Sequence, residues 1–148
     1  MAENTDSQPA PQHVGVLLVT HGEFGEALLS AAQLILGPQE GVSAVSVLVS
    51  RAVEDIVVEL KSSQAQLDQG KGVLILTDLF GGTPTTLSLS LLKGGNVEVV
   101  SGVNLPMLIK SLQGRGLPLA ELANQAREAG QKGIVVPGEM LRKKTSGS

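Results

Sequence analysis

A histidine and an aspartate in this chain each follow directly on a short apolar stretch, and together they could handle a phosphoryl group. His21 follows residues 14–20, and Asp78 follows residues 73–77. A carboxylate that accepts the proton of one imidazole nitrogen fixes the tautomer and orientation of the ring. The other nitrogen then presents its lone pair outward as a nucleophile, and the carboxylate stabilises the cation that forms when the ring binds phosphorus. His21 is therefore the predicted phosphoacceptor, and Asp78 is the acid that orients it.

A glycine segment just after Asp78 could hold the oxygens of such a group. Gly81, Gly82 and Thr83 precede Pro84 and a predicted helix. Unpaired backbone N–H groups and the dipole at a helix start attract anions, and residues without side chains let phosphate oxygens come close to the backbone. The Thr83 hydroxyl adds one more donor. A site built in this way needs no metal, and no cofactor is expected.

Each of these residues also has a purely structural explanation. His21 could be a strand-end histidine bonded to a carbonyl, and Asp78 could cap the following turn. Glycines mark many tight turns, and Thr-Pro suits a helix start, with Thr83 as the N-cap. Three further residues are candidates for partner contact: Phe80, Arg51 and Asn104. Their respective alternatives are a core filler, a solvated cation and a helix-start residue.

The apolar pattern predicts a scaffold that brings His21 and Asp78 to one edge of a sheet. Five short apolar stretches are predicted strands: residues 14–20, 42–49, 73–77, 97–100 and 134–136. Segments with apolar residues at three- and four-residue steps lie between them and are predicted helices. This alternation predicts an α/β fold, a mainly parallel sheet with helices on both faces. In a flavodoxin-like order, 2-1-3-4, the first and third strands are neighbours, so both side chains meet at the carboxyl edge.

Length and composition narrow the class of protein. The chain has 148 residues, no Cys and a formal net charge of -3. Its length suits one domain, predicted over residues 14–137 between a disordered tail over 1–13 and a flexible tail over 138–148. The mild acidity argues against a nucleic-acid partner, no apolar run reaches the ~18–20 residues of a membrane span, and the start lacks a secretory signal. A cytoplasmic protein is expected.

Three motifs carry a resemblance to a known family. They are Leu-Leu-Val-Thr-His21-Gly, Asp78-Leu-Phe-Gly-Gly-Thr-Pro84 and Gly102-Val-Asn-Leu-Pro-Met107. In this order and spacing they resemble the enzyme IIA domain of the mannose-type (mannose, fructose, sorbose) bacterial phosphoenolpyruvate-dependent phosphotransferase system, over about residues 14–137. The resemblance implies that His21 becomes tele-phosphohistidine, on the nitrogen away from Asp78. It also implies that Thr83 stands where the family has a small hydroxyl residue, commonly Ser.

The same resemblance implies partners. Family members accept the phosphoryl group from the phosphocarrier protein HPr and pass it to a IIB component during sugar uptake, with membrane components IIC and IID where a transporter is present. A homodimer is implied, in which the last short strand, residues 134–136, crosses to the other subunit. Because the chain stops soon after Met140, without the linker and IIB domain of some members, a separate IIB polypeptide is expected.

Two other functions are open at this point. The absence of a IIB domain motivates the first, a regulatory module whose phosphorylation state controls a non-transport partner. The second is the related phosphoryl carrier that serves dihydroxyacetone kinase, which the loop Phe80-Gly-Gly-Thr-Pro84 fits less well. The sequence does not reveal the sugar, since specificity in such systems is expected to lie in the membrane component.

Overall fold

Strands and helices alternate along residues 12–94 and 96–146, the part of the chain that the structure, a computed structural model, describes. In chain order they are β1 (Gly15–His21), α1 (Phe24–Leu36), β2 (Val42–Val47), α2 (Val53–Leu67), β3 (Val73–Thr77), α3 (Thr83–Leu89), β4 (Val97–Ser101), α4 (Leu105–Gln113), α5 (Leu119–Lys132) and α6 (Pro137–Ser146). A short 3-10 turn, Leu92–Gly94, follows α3. Within these ranges, none of the helices combines the length and the apolar character that crossing a membrane requires.

The four strands form one parallel sheet in the order β2-β1-β3-β4, which confirms the predicted flavodoxin-like order. In the register, Val19 of β1 lies opposite Thr77, the last residue of β3, and His21 lies opposite Val47, the last residue of β2. β1 therefore runs two residues past its last pair with β3. This register places His21 at the carboxyl edge, beside the residue that follows β3.

Two apolar layers hold the sheet, one on each face. Along β1, Leu17 and Val19 pack in the layer that α2 supplies, whereas Leu18 packs in the layer formed with α1, α4 and α5. The two central strands are buried on both faces, which explains why they read as continuous apolar runs rather than as alternating patterns. Each fully buried Leu or Val side chain contributes about 1.5–3 kcal/mol. The site residues thus stand at the ends of the best-buried strands of the fold.

The second strand is shorter than predicted. β2 ends at Val47, and its predicted continuation to residue 49 is wrong, because Leu48 is 40% and Val49 107% exposed. Pairing stops where Gly22 donates its backbone N–H to the Val47 carbonyl at 3.0 Å and turns the chain away with φ +54. No length of β1 remains beside the next two residues, so their apolar side chains face solvent near the carboxyl edge.

The last predicted strand is not a strand in this chain. Residues 134–136 lie between α5 and α6, and all three side chains are more than half exposed. A strand needs a neighbour to pair its backbone N–H and C=O groups, and none of the described strands pairs with this segment. Its exchange into a second subunit stays a prediction.

The C-terminal segment contains a helix that the sequence does not predict, whereas most of the N-terminal segment lies outside the described residues. Residues 137–146 form the helix α6, and Pro137 at its start suits the first turn of a helix. The flexibility predicted for residues 138–148 stays a prediction. Most of the predicted N-terminal tail, residues 1–11, lies outside the described residues. β1 begins at Gly15, close to the predicted start of the domain.

Candidate functional site

The carboxyl ends of β1 and β3 bring His21 and Asp78 into contact. The ring nitrogen Nδ1 of His21 lies 2.9 Å from Oδ2 of Asp78, and the backbone N–H of His21 donates to the same oxygen at 3.0 Å. The His21 side chain is 51% exposed and that of Asp78 15%. One carboxylate oxygen thus holds both the ring and the strand end, and about half of the side chain stays exposed.

This contact keeps the Asp78 carboxylate ionised and orients the His21 ring. Burial of Asp78 acts to raise its pKa, but the hydrogen bonds from the backbone and ring of His21, together with the charge on that ring, outweigh burial and hold the pKa below its ordinary value. The carboxylate is therefore charged at neutral pH and can accept a proton from Nδ1. In that tautomer of a neutral imidazole, Nε2 has a free lone pair. Among the described residues, none hydrogen-bonds the buried Oδ1 of Asp78, so Oδ2 alone orients the ring.

The glycine loop after Asp78 closes against the imidazole. A Cβ at residue 82 would lie 2.9 Å from His21 Cε1 and 3.4 Å from Nε2, so the backbone at Gly82 touches the part of the ring that carries the free nitrogen. Gly82 donates its N–H to the Leu79 carbonyl at 3.3 Å, and Gly81 between them has φ +91, a conformation that favours glycine. Gly81 is thus required for the turn, and Gly82 for the close approach.

Thr83 begins α3 and does not cap it. The N-cap is Gly82, and no side-chain capping hydrogen bond is found there among the described residues, so the predicted N-cap role of Thr83 is wrong. The tight turn that bonds Gly82 to Leu79 ends at residue 82, which leaves Thr83 and Pro84 in the first helical turn. The Thr83 side chain is exposed and lines the same cleft as His21.

This cleft has a volume of about 220 Å³ and lies beside the end of β2. Its other lining residues come from the end of β2, the following loop and the first turn of α2: Val47, Leu48, Val49, Arg51, Val53 and Ile56. The sequence pattern misses Leu48 and Val49 as site residues, since the apolar residues 47–49 continue the predicted strand. The signal that could have found them is Gly22, because this glycine ends β1 opposite Val47 and leaves no length of β1 beside Leu48 and Val49.

Arg51 and Phe80, two of the candidates for partner contact, lie close to the histidine. Arg51 lines the cleft, and its Nη1 donates to Glu59 Oε1 at 2.6 Å and to the Ser46 carbonyl at 3.1 Å. Arg51 is thus an ion-paired cation, not a freely solvated one. Phe80 is 79% exposed in the glycine loop, so it is not a core filler.

Asn104, the third candidate for partner contact, has a structural role. Its side chain accepts the Met107 N–H at 3.0 Å, as the N-cap of α4. Its amide donates to the Gly130 carbonyl at 3.0 Å, which ties α4 to α5. The helix-start explanation accounts for Asn104, and a contact with a partner stays a prediction.

Known proteins resemble this chain over most of its length. The family described as "PTS system fructose IIA component" matches residues 15–127. The "PTS system mannose-specific EIIAB component" of Escherichia coli (strain K12) is 34% identical over 124 residues, which are 82% of this chain and 38% of that protein. The "PTS system fructose-specific EIIA component" of Bacillus subtilis (strain 168) is 28% identical over 132 residues, which are 88% of this chain and 90% of that protein.

Solved structures share the fold. The phosphotransferase system component EIIA from Streptococcus agalactiae superimposes with a TM-score of 0.79 at 30% identity, over 85% of this chain and 98% of that one. The chain spans 38% of the length of the mannose-specific EIIAB relative, and nearly the full length of the EIIA structure. The family match over residues 15–127 and the 34% identity to a mannose-specific relative show that this chain belongs to the mannose- and fructose-type IIA family of the bacterial phosphotransferase system.

Proposed function

We propose that this chain is a phosphohistidine carrier in sugar uptake, which accepts a phosphoryl group on His21 and passes it on. The contact of His21 Nδ1 with Asp78 Oδ2 at 2.9 Å, in a ring that is half exposed, carries the proposal. An oriented ring that is open to solvent can meet a second protein, whereas a structural histidine gains nothing from such exposure. The names of the relatives, sugar-specific components of the phosphotransferase system, support the same conclusion.

The chemistry follows from the free nitrogen. The Nε2 lone pair of His21 attacks the phosphorus of the phosphohistidine on HPr, an Nε2–P bond forms, and the donor's N–P bond breaks with its electron pair returning to the donor imidazole. The Nδ1 proton stays against Asp78, whose negative charge stabilises the phosphorylated ring. In the second transfer, a nucleophile of the IIB component attacks the same phosphorus, and the Nε2–P bond breaks with its electron pair returning to Nε2 of His21. Such transfer depends on in-line positioning and charge stabilisation.

The loop before α3 supplies the surroundings of the transferred group. The Gly82 N–H is already bonded to Leu79, so we assign the donors to the N–H groups of Gly81 and Thr83 and to the Thr83 hydroxyl. Gly82 contributes room, because any side chain there would meet the ring. The helix itself has seven residues, so local N–H groups rather than a long helix dipole hold the phosphate oxygens.

We expect Gly82→Ala to slow phosphorylation of His21 by about 10- to 100-fold, because a displacement of about 1 Å at a reacting group has an effect of this size. The added methyl group would lie 2.9 Å from Cε1 and would push the ring off its line of attack. Rapid-quench phosphorylation measures the rate. Gly116→Ala is the matched control, since a Cβ there would meet no atom of the described residues within 4 Å, and equal rates in the two variants would contradict the proposed role of Gly82.

Exposed apolar side chains in the cleft beside His21 and in the loop after Asp78 form the surface that we propose for HPr and for the IIB component. They are Leu48, Val49, Leu79 and Phe80, which are between 40% and 107% exposed. Protein interfaces are enriched in aromatic anchors and arginine near their centre. Phe80 fits the first role, and Arg51, whose ion pair with Glu59 lies at the cleft, fits the second.

Phe80→Ala is expected to raise the KM for phosphorylated HPr by about 10-fold, the effect of losing about 1.4 kcal/mol of contact, with little change in kcat. The side chain is 79% exposed, so the fold should keep its stability. Steady-state transfer at varied HPr concentration gives both constants. Leu34→Ala, in α1 and 89% exposed, should leave KM unchanged, and an equal rise in both variants would remove Phe80 from the proposed surface.

Incubation with enzyme I, HPr and labelled phosphoenolpyruvate tests the function as a whole. The expected result is one phosphoryl group per chain, followed by its release to a IIB component. A chain that stays unlabelled, or that labels but never transfers to IIB, would contradict the proposal. The sugar-specific names of the relatives do not favour the regulatory module or the dihydroxyacetone kinase carrier.

A homodimer and a cytoplasmic location complete the proposal as predictions. The exposed apolar segment at residues 134–136, with side chains 76%, 53% and 56% exposed, supports an exchange between subunits, because a second chain could cover these apolar side chains. Light scattering on the purified chain would measure its oligomeric state. A monomer at micromolar concentration would contradict the exchange.

A further inference from the structure

Three hydroxyl groups lie under the glycine loop and have no part in the chemistry described above. Thr85 Oγ1 lies 2.7 Å from the Leu79 carbonyl oxygen, 2.7 Å from Thr77 Oγ1 and 3.3 Å from Ser101 Oγ. Thr77 is 0% and Thr85 2% exposed. The cluster therefore joins the carboxyl ends of β3 and β4 to the loop that carries the proposed phosphate donors.

The direction of every proton in this cluster is fixed. A carbonyl only accepts, so the single hydroxyl proton of Thr85 goes to the Leu79 carbonyl. Thr77 and Ser101 must then donate their own protons to the Thr85 oxygen, which uses both of its lone pairs. Thr85 is thus fully satisfied, with one proton donated and two accepted, and such chains of buried hydrogen bonds polarise and stiffen one another.

The Leu79 carbonyl, which accepts the Thr85 proton, connects the hydroxyl cluster to the glycine loop. Leu79 follows Asp78 directly, and its carbonyl also accepts the Gly82 N–H at 3.3 Å. Gly82 in turn lies against the His21 ring, where a Cβ would come within 2.9 Å of Cε1. A shift of the Leu79 carbonyl would therefore move the loop relative to Nε2.

We infer that Thr85 is a positioning residue for phosphoryl transfer, which acts through its hydroxyl by holding the Leu79 carbonyl and with it the glycine loop against His21. The inference rests on the proposed function. It assigns Thr85 no contact with the phosphoryl group, because its buried oxygen is saturated by Thr77, Leu79 and Ser101.

The test compares Thr85→Val, which keeps the shape of the side chain but removes the hydroxyl, with Thr85→Ser, which keeps the hydroxyl. Thr85→Val should lower kcat for transfer from phosphorylated HPr by about 10-fold or more, as a misplaced loop would, with KM within about twofold. Thr85→Ser should restore most of the rate. Ser111→Ala is the control for loss of a buried hydroxyl elsewhere, since Ser111 donates only to Met107 within α4 at 2.8 Å, and it should leave kcat unchanged.

Three results would overturn the inference: a normal kcat in Thr85→Val, an equal loss in Thr85→Ser, or an equal loss in Ser111→Ala. If Thr85→Val does not fold, Ser101→Ala takes its place, because it removes one of the donors to Thr85, and unaltered transfer there would count against the inference. Amide NMR of the unphosphorylated chain separates this claim from the proposed function. Thr85→Val should shift the Gly82 and His21 resonances and Ser111→Ala should not, whether or not the chain accepts a phosphoryl group.

Discussion

Replacement of His21 by alanine is expected to abolish phosphorylation completely, since the Nε2 lone pair is the only nucleophile in the proposed transfer. His21 is half exposed and its ring makes one hydrogen bond, to Asp78, so the variant should remain folded. Incorporation of label from phosphoenolpyruvate through enzyme I and HPr, followed on a gel, measures the effect. A folded His21→Ala variant that is still labelled would place the phosphoryl group elsewhere.

The chain offers a matched control for this experiment in its second histidine. His13 lies just before β1, at the opposite end of the strand from His21, and its backbone N–H contacts the Gln69 side chain at 3.4 Å. His13→Ala should be labelled at the wild-type rate. Loss of labelling in this variant would show that the effect of histidine removal is not specific to the carboxyl edge of the sheet.

Replacement of Asp78 should slow transfer strongly, and alanine and asparagine should differ. Asp78→Asn keeps an oxygen that can accept both the His21 backbone N–H and the Nδ1 proton, so it removes mainly the charge. Asp78→Ala also removes the acceptor and frees the ring to rotate or change tautomer. Loss of the acid beside a catalytic histidine lowers rates by up to about 10⁴-fold, and we expect Asp78→Ala to be the slower of the two. Single-turnover rates would show it, and wild-type rates in both would contradict the role of Asp78.

Asp78→Asn should also change how the free energy of unfolding depends on pH. The folded-state pKa of Asp78 lies below its ordinary value of 3.8, so the ionised side chain contributes stability above pH 3.8. That contribution is lost as the pH falls through the folded-state pKa. Urea unfolding should therefore show a difference between wild type and Asp78→Asn at pH 7 that shrinks on acidification below 3.8. A difference that grows on acidification would contradict the sign of the shift.

The sequence was sufficient to predict the pair at the centre of the site. His21 and Asp78 each end a short apolar run, and burial on both faces of a parallel sheet makes such runs recognisable. The alternation of strands and helices predicts a parallel sheet but does not by itself fix the strand order; the flavodoxin-like order that makes them neighbours is an added assumption, and the sheet has that order. The contact of 2.9 Å is the direct result of that topology.

Other features depend on contacts that no local pattern records. Leu48 and Val49 are not recognised as site residues because the pattern assigns them to the second strand. An apolar residue has the same pattern in the sequence whether its side chain packs in a core or contacts a partner. The segment at residues 134–136 has the composition of a strand, but none of the described strands is its neighbour. Thr85 gave no signal, since its role depends on Thr77 and Ser101, which β3 and β4 bring beneath the loop.

Identification of the histidine nitrogen that carries the phosphoryl group is the most direct test of the central claim. The chain, labelled with ¹⁵N in its histidines and phosphorylated through HPr, can be examined by ³¹P and ¹⁵N NMR, which distinguish phosphorus bonded to Nε2 from phosphorus bonded to Nδ1. With Nδ1 held 2.9 Å from the Asp78 carboxylate, the coupling should fall on Nε2 of His21. Phosphorus on Nδ1, or on any residue other than His21, would contradict the account.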